Sequence, residues 1–257
     1  MRKILLFLPF LFLACKSPDT NLNISSKDFT EFKVLDSEYL DRDQIFGDLL
    51  DDVVRFRESD NLKSLILEKS IPEIQEAIVS GQFSYRDLTL FYLKRIYKYD
   101  RENTKSLNSV IAINPNALKQ ADAADQDLAY VKRNEEDLAY YSIKGMPILL
   151  KDNINTEDMP TTAGAAVLLE NRTSQNAIIV THLRQEGAVI LGKANLSEWA
   201  YFFCGDCPSG YSAVGGQTLN PYGRRTMDTG GSSSGSGVSV AANFAVAAVG
   251  TETSGSI

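Results

Sequence analysis

Apolar residues recur along this chain in two spacings, and the alternation between them marks out its elements. From about 84 to 100 the spacing is helical: Leu88, Leu90, Tyr92, Leu93 and Ile96 follow Ser84, a residue suited to cap a helix start. Similar patterning predicts helices over about 71–80, 115–133 and 175–186. Short apolar runs bounded by Gly, Pro or polar residues predict strands near 109–113, 147–154, 189–192 and 245–251. Strands that alternate with helices imply an α/β layered fold.

The chain opens on a different pattern. Arg2-Lys3 is followed by the apolar run Ile4 to Ala14. That run is shorter than the ~20 residues a membrane-spanning helix needs, and it matches the apolar core of a signal peptide. Its end, Phe12-Leu13-Ala14-Cys15, resembles a bacterial lipoprotein cleavage box, although Phe12 is not the preferred aliphatic residue there. Lipid on Cys15 would anchor the chain to a membrane, with Lys16 to about Ser26 as a polar tether. An ordinary cleaved secretory signal is the alternative. The expected location is the bacterial cell envelope.

Composition narrows the partners. Of 257 residues, 44% are hydrophobic and 23% charged, ordinary values for a globular domain with a substantial core. Loss of residues 1–14 removes Arg2 and Lys3 and no acid, which leaves 24 basic against 33 acidic residues and a net charge of −9. That balance disfavours nucleic acid as a partner. Cys204-Gly205-Asp206-Cys207 has the spacing of a redox pair or half a zinc site, but no second ligand pair accompanies it. In an exported protein the two thiols would form a loop disulfide or stay idle.

The chemistry is concentrated near the end of the chain. Gly230-Gly231-Ser232-Ser233-Ser234-Gly235-Ser236-Gly237 and Gly250-Thr251-Glu252-Thr253-Ser254-Gly255-Ser256 flank an apolar stretch, Val238 to Val249, suited to a buried helix and then a buried strand. Each cluster therefore sits at an element boundary, which argues against a flexible linker. A Walker phosphate loop would close on Gly-Lys-Ser/Thr, and neither cluster contains a lysine. The glycine spacing does not fit a dinucleotide fingerprint. Hydroxyl chemistry remains, and a serine needs a base to become nucleophilic. The single histidine, His182, lies in an amphipathic helical stretch, so a Ser-His-Asp triad is poorly supported. A lysine can serve if burial depresses its pKa. Lys151 ends the apolar run Met146 to Leu150, which would carry it inward; an exposed strand-end lysine paired with Asp152 is the other reading of the same pattern.

Together these residues resemble the amidase signature family, which uses a Ser-cisSer-Lys triad. Lys144 to Ile154 resembles the family's lysine strand, residues 230–237 its central signature and residues 250–257 its nucleophile loop. Ser232 and Ser256 are 24 positions apart, as the family pattern requires. Segments 189–200 and 215–222 also resemble the family, and the likeness runs from about residue 70 to 257. Carried over, it makes Ser256 the nucleophile, Ser232 the relay in a cis peptide after Gly231, and Lys151 the base, with Ser233 supporting them. The backbone amides of Thr253, Ser254, Gly255 and Ser256 would form the oxyanion hole. Glu252 and Ser254 stand where the commonest loop has Asp and Gly, and the loop with Asn195-Leu196-Ser197-Glu198-Trp199-Ala200 looks most like peptide-amidase-type members.

The resemblance implies hydrolysis of linear carboxamides through an acyl-enzyme, on small-molecule or peptide amides, with no metal and no cofactor. An amidotransferase component with glutaminase activity and a non-catalytic protein that keeps the fold are the alternatives. The fold implied is a large mixed β-sheet surrounded by helices. Family domains continue for about as long again beyond their nucleophile loop, so the chain is expected to be an N-terminal portion: signal 1–14, tether and extension 15–60, and amidase domain from 61 to 257.

Overall fold

A computed structural model describes residues 33–101, 104–134, 139 and 142–256. The signal segment and Cys15 lie outside the described residues. A four-stranded mixed sheet forms the centre, built from β1 (Val110–Ile113), β2 (Pro147–Lys151), β3 (Val189–Ala194) and β6 (Ala247–Val249) in the order β1-β3-β2-β6. β2 runs parallel to both β3 and β6, and β1 is antiparallel to β3. β4 (Tyr211–Ser212) and β5 (Gly216–Gln217) make a separate short hairpin.

Every residue of β2 and β3 is buried, as expected of parallel strands covered on both faces. Side-chain alternation sends Leu149 and Leu191 into one apolar cluster and Ile148, Leu150 and Ile190 into another. The larger cluster is covered by α3 (Ile71–Val79), α4 (Tyr85–Tyr99) and α5 (Ala117–Arg133). The smaller one is closed by Val180 of α6 (Ile178–Gln185). α4 starts where its sequence indicates: Ser84 Oγ accepts from Asp87 N at 3.0 Å, and the Asp87 carboxylate accepts from Ser84 N at 3.0 Å.

Four helices and four strands thus appear where the patterning puts them, with shifted ends. β2 stops at Lys151 because a turn, Ile154 N to Lys151 O at 2.9 Å, begins there. β6 is half-buried rather than buried, since among the described residues it pairs with β2 alone and lies at the sheet edge. The patterning also leaves out a 3-10 turn, Gln44–Leu49, and the short helices α1 (Leu50–Arg55) and α2 (Asp60–Ile66). From this stretch Phe46, Leu49, Val53 and Ile66 enter the main core. α7 (Ser234–Ala241) begins inside the first Ser/Gly cluster, four residues before the apolar stretch. Cys204 and Cys207 are joined as a disulfide. Among the described residues no helix is long and apolar enough to cross a membrane.

Candidate active site

The turn after β2 aims three consecutive residues at three structural tasks. Lys151 is fully buried, and its Nζ donates to Ser232 Oγ at 2.7 Å, Ser233 Oγ at 2.9 Å and Thr251 O at 3.3 Å. Burial lowers its pKa to about 8, against the opposing pull of the Glu252 carboxylate. Asp152, also buried, accepts from Thr162 N at 3.0 Å and from the Thr162 hydroxyl, and lies 3.8 Å from Lys193 Nζ. Burial raises the Asp152 pKa and lowers that of Lys193 to about 8, while each charge favours the other. Lys193 donates to Ile154 O at 2.7 Å and to Thr161 Oγ1 at 2.9 Å, so this pair ties the 152–164 turn to β3. Asn153 Nδ2 reaches the second cluster, donating to Thr251 Oγ1 at 2.9 Å. The buried reading of Lys151 holds, and the pairing with Asp152 at an exposed strand end does not.

The first cluster wraps the start of α7. The Gly231–Ser232 peptide is cis, as the resemblance implies, and Ser232 is fully buried. Its carbonyl accepts from Ser197 N at 3.1 Å. Gly235 lies against the 109 and 195 backbone: a β-carbon there would come within 2.4 Å of Asn195 O and 2.6 Å of Ser109 O. Only a glycine tolerates that approach. The remaining serines stitch elements together, Ser234 Oγ donating to Gly230 O at 2.6 Å and Ser236 Oγ to Val249 O of β6 at 3.1 Å.

Ser233 joins the two clusters. Its amide and its hydroxyl both donate to Ser256 O, at 3.1 and 2.5 Å. Lys151, Ser232, Ser233 and Ser256 are thereby drawn into one region. Among the described residues, however, no hydrogen bond joins the Ser232 and Ser256 hydroxyls; the link runs through the Ser256 carbonyl. Residues 252–255 are exposed, and Gly255 takes the left-handed conformation at φ 79° while Ser254 does not. The amides of Gly255 and Ser256 donate to the Glu252 carboxylate. Two of the four amides assigned to the oxyanion hole therefore hold the loop's own acid.

Other sequence candidates fall outside this region. His182 is exposed on α6, consistent with its reading as a surface residue. Among the described residues no three or more His, Cys, Asp or Glu side chains gather as a metal site. Ser197, Asn153 and Thr251 are contributors that motif spacing did not single out, because their parts are played by contacts that only the fold creates.

The model of the Amidase family matches residues 87–257. A probable amidase of Arabidopsis thaliana is 42% identical over 193 residues, which cover 75% of this chain and 36% of that protein. A glutamyl-tRNA(Gln) amidotransferase component of Nitrosococcus oceani is 37% identical over 190 residues, 74% of this chain and 36% of that protein. Among solved structures, an amidase family protein of Bacillus anthracis superposes with a TM-score of 0.77 at 41% identity, over 88% of this chain and 44% of that one. The native peptide amidase of Stenotrophomonas maltophilia gives 0.67 at 46% identity, over 74% and 37%. The chain thus spans roughly a third of the length of the curated relatives it matches. With the motifs, the sheet and these likenesses in agreement, the chain belongs to the amidase family.

Proposed function

We propose that this chain carries the reacting groups of an amidase that hydrolyses carboxamide C–N bonds, with Ser256 as nucleophile, Ser232 as relay and Lys151 as base. The observation that carries this reading is the buried 2.7 Å contact between Lys151 Nζ and Ser232 Oγ, one serine away from the tether on Ser256. Neutral Lys151 accepts the proton of Ser232 as Ser232 takes that of Ser256, and Ser256 Oγ attacks the amide carbonyl. The developing oxyanion is held by loop amides, for which Thr253, Ser254 and Gly255 are proposed; the Gly255 amide serves once Glu252 releases it. Such donors are worth roughly 10²–10³ in rate. Collapse expels the amine with the proton returned through Ser232, and water then cleaves the acyl ester by the same path. The substrate is a small-molecule or peptide amide, in keeping with the likeness to a peptide amidase.

In the full-length protein, Ser256→Ala is expected to abolish ammonia release from primary amides. Lys151→Ala is expected to lower kcat by well over tenfold, that is by more than about 1.4 kcal/mol in barrier. A Lys151→Ala enzyme within tenfold of wild type would refute the base assignment. A second reading, glutaminase work within an amidotransferase, is favoured by the likeness to the glutamyl-tRNA(Gln) amidotransferase component; strict dependence of activity on a partner protein would select it.

We further propose that Cys15 is lipidated and holds the enzyme at the bacterial cell envelope, a reading supported by the Leu13-Ala14-Cys15 cleavage pattern. The membrane-bound protein is expected to begin at Cys15 and to carry the mass of a diacylglycerol there. A membrane-bound protein with unmodified Cys15 would reject the anchor.

A further inference from the structure

We propose that Cys204 and Cys207 are a redox-active pair, opened by thiol–disulfide exchange with a dithiol, and that the closed bond holds Tyr201 against the Gly231–Ser232 peptide. The effect on turnover rests on the amidase reading above; the opening of the bond does not.

The bond is placed for exchange rather than for global stability. Only Gly205 and Asp206 lie between the two cysteines, and so small a ring removes little freedom from the unfolded chain. Cys204, Gly205 and Asp206 are exposed, and a β-carbon built at Gly205 meets nothing within 4 Å. An incoming thiol thus meets open space rather than packed core, and exposed disulfides are the labile ones. The exchange balances in two steps. A thiolate of the reductant attacks Cys204 Sγ, the S–S bond breaks, and Cys207 leaves as a thiolate that takes up a proton. The reductant's second thiol then attacks the mixed disulfide and releases Cys204 as a thiol, so two electrons pass to the protein and the dithiol ends as a disulfide.

The route from this bond to the reacting segment is short. The Cys204 amide donates to Tyr201 O at 3.3 Å, and a β-carbon built at Gly231 would lie 3.0 Å from Tyr201 Oη and 2.7 Å from Ser197 Oγ. Ser197 is the root of the loop: its amide donates to Ser232 O at 3.1 Å, and its hydroxyl accepts from Gly210 N at 2.9 Å. Between root and bond, Trp199, Ala200 and Tyr201 all take left-handed conformations, at φ 50°, 53° and 68°. Each is costly for a residue with a β-carbon, and such a run persists only where its surroundings over-determine it. The Cys204–Cys207 bond, which begins three residues after Tyr201, supplies part of that constraint. Once it opens, the three residues relax towards ordinary backbone and Tyr201 leaves the Gly231–Ser232 peptide.

The test treats the full-length protein with millimolar dithiothreitol under native conditions, alkylates it with iodoacetamide and locates the label by peptide mass. Carbamidomethyl groups on both Cys204 and Cys207 are expected without denaturant. The kcat for propanamide is expected to fall about tenfold with KM little changed, since the loop acts on the position of the relay serine. Oxidised glutathione, which re-forms the bond, should restore it. Cys204→Ser/Cys207→Ser is expected to match the reduced protein and to ignore dithiothreitol, which separates this bond from any other. Amide hydrogen exchange at 198–210 and 230–233 should quicken on reduction while β2 and β3 stay protected. A bond that opens only in urea would overturn the proposal, and so would unchanged kcat or unchanged exchange after opening. A protein idle on amides in both states would overturn the amidase reading instead; faster exchange on reduction would then sustain the redox pair, and unchanged exchange would end both.

Discussion

At the scale of single residues, the proposed mechanism depends on the charge carried by one amine. A lysine at its usual pKa is almost wholly protonated near neutral pH and cannot accept a proton. Burial brings Lys151 to about 8, so its neutral form grows through that pH. The expected kcat/KM therefore rises from pH 7 to 9 with an apparent pKa of about 8. Glu252 works the other way, since its carboxylate favours the ammonium and raises the pKa. Glu252→Gln removes that anion, which lowers the Lys151 pKa and should move the activity limb to lower pH. A pH–rate profile of both proteins checks this; a limb that moves to higher pH would show that Glu252 does not act through Lys151. That Lys151, Ser232 and Ser256 come into one region was legible from sequence because each sits within a motif of fixed spacing. The contacts of Ser197 and Asn153 were not, since nothing in spacing says which amide meets the Ser232 carbonyl or the Thr251 hydroxyl. Glu252 was legible only as a substitution in the loop, and its hold on the Gly255 and Ser256 amides emerges from the turn itself.

At the scale of elements, α7 positions both signature serines, and Gly235 sets how closely it can lie. Gly235→Ala forces a β-carbon against the backbone of Asn195 and Ser109, where no side chain can swing aside. A loss of about 1–3 kcal/mol in urea unfolding is expected, with a fall in kcat as Ser232 and Ser233 move. Gly237 is the control: it is exposed on the same helix and a β-carbon there meets nothing within 4 Å. Gly237→Ala should stabilise by about 0.5–1 kcal/mol through helix propensity and a less flexible unfolded chain. Equal effects at the two positions would mean that close approach is not what glycine supplies. Helices of 8 to 17 residues were legible because they repeat an apolar face several times. The six- and seven-residue helices α1 and α2 complete too few turns for a period to show.

At the scale of the whole molecule, the α/β class follows from alternating elements, whereas the strand order β1-β3-β2-β6 does not, because pairing between distant segments leaves no local trace. The same long-range packing buries ionisable groups whose costs act on global stability. Lys151 and Lys193 both have folded pKa values of about 8, below the ordinary lysine value of 10.5. Between those limits the unfolded chain binds more protons than the folded one, so stability increases as pH rises from 8 towards 10. Buried tyrosines then reverse the trend. Burial pushes Tyr85 up to about 12 and Tyr92 higher still, each from 10.0. Above pH 10 the unfolded tyrosines lose protons that the folded ones keep, and stability falls. The expected curve of Tm against pH has its maximum near 10, with a rise of at least about 2 °C from pH 8. Lys151→Met, which carries no titrating amine there, should reduce the rising limb to the share that Lys193 supplies while the falling limb stays. A wild-type Tm that falls steadily from pH 8 to 10 would mean that these lysines keep their protons in the folded state through that range, and the proton-accepting state of Lys151 would lose its physical basis.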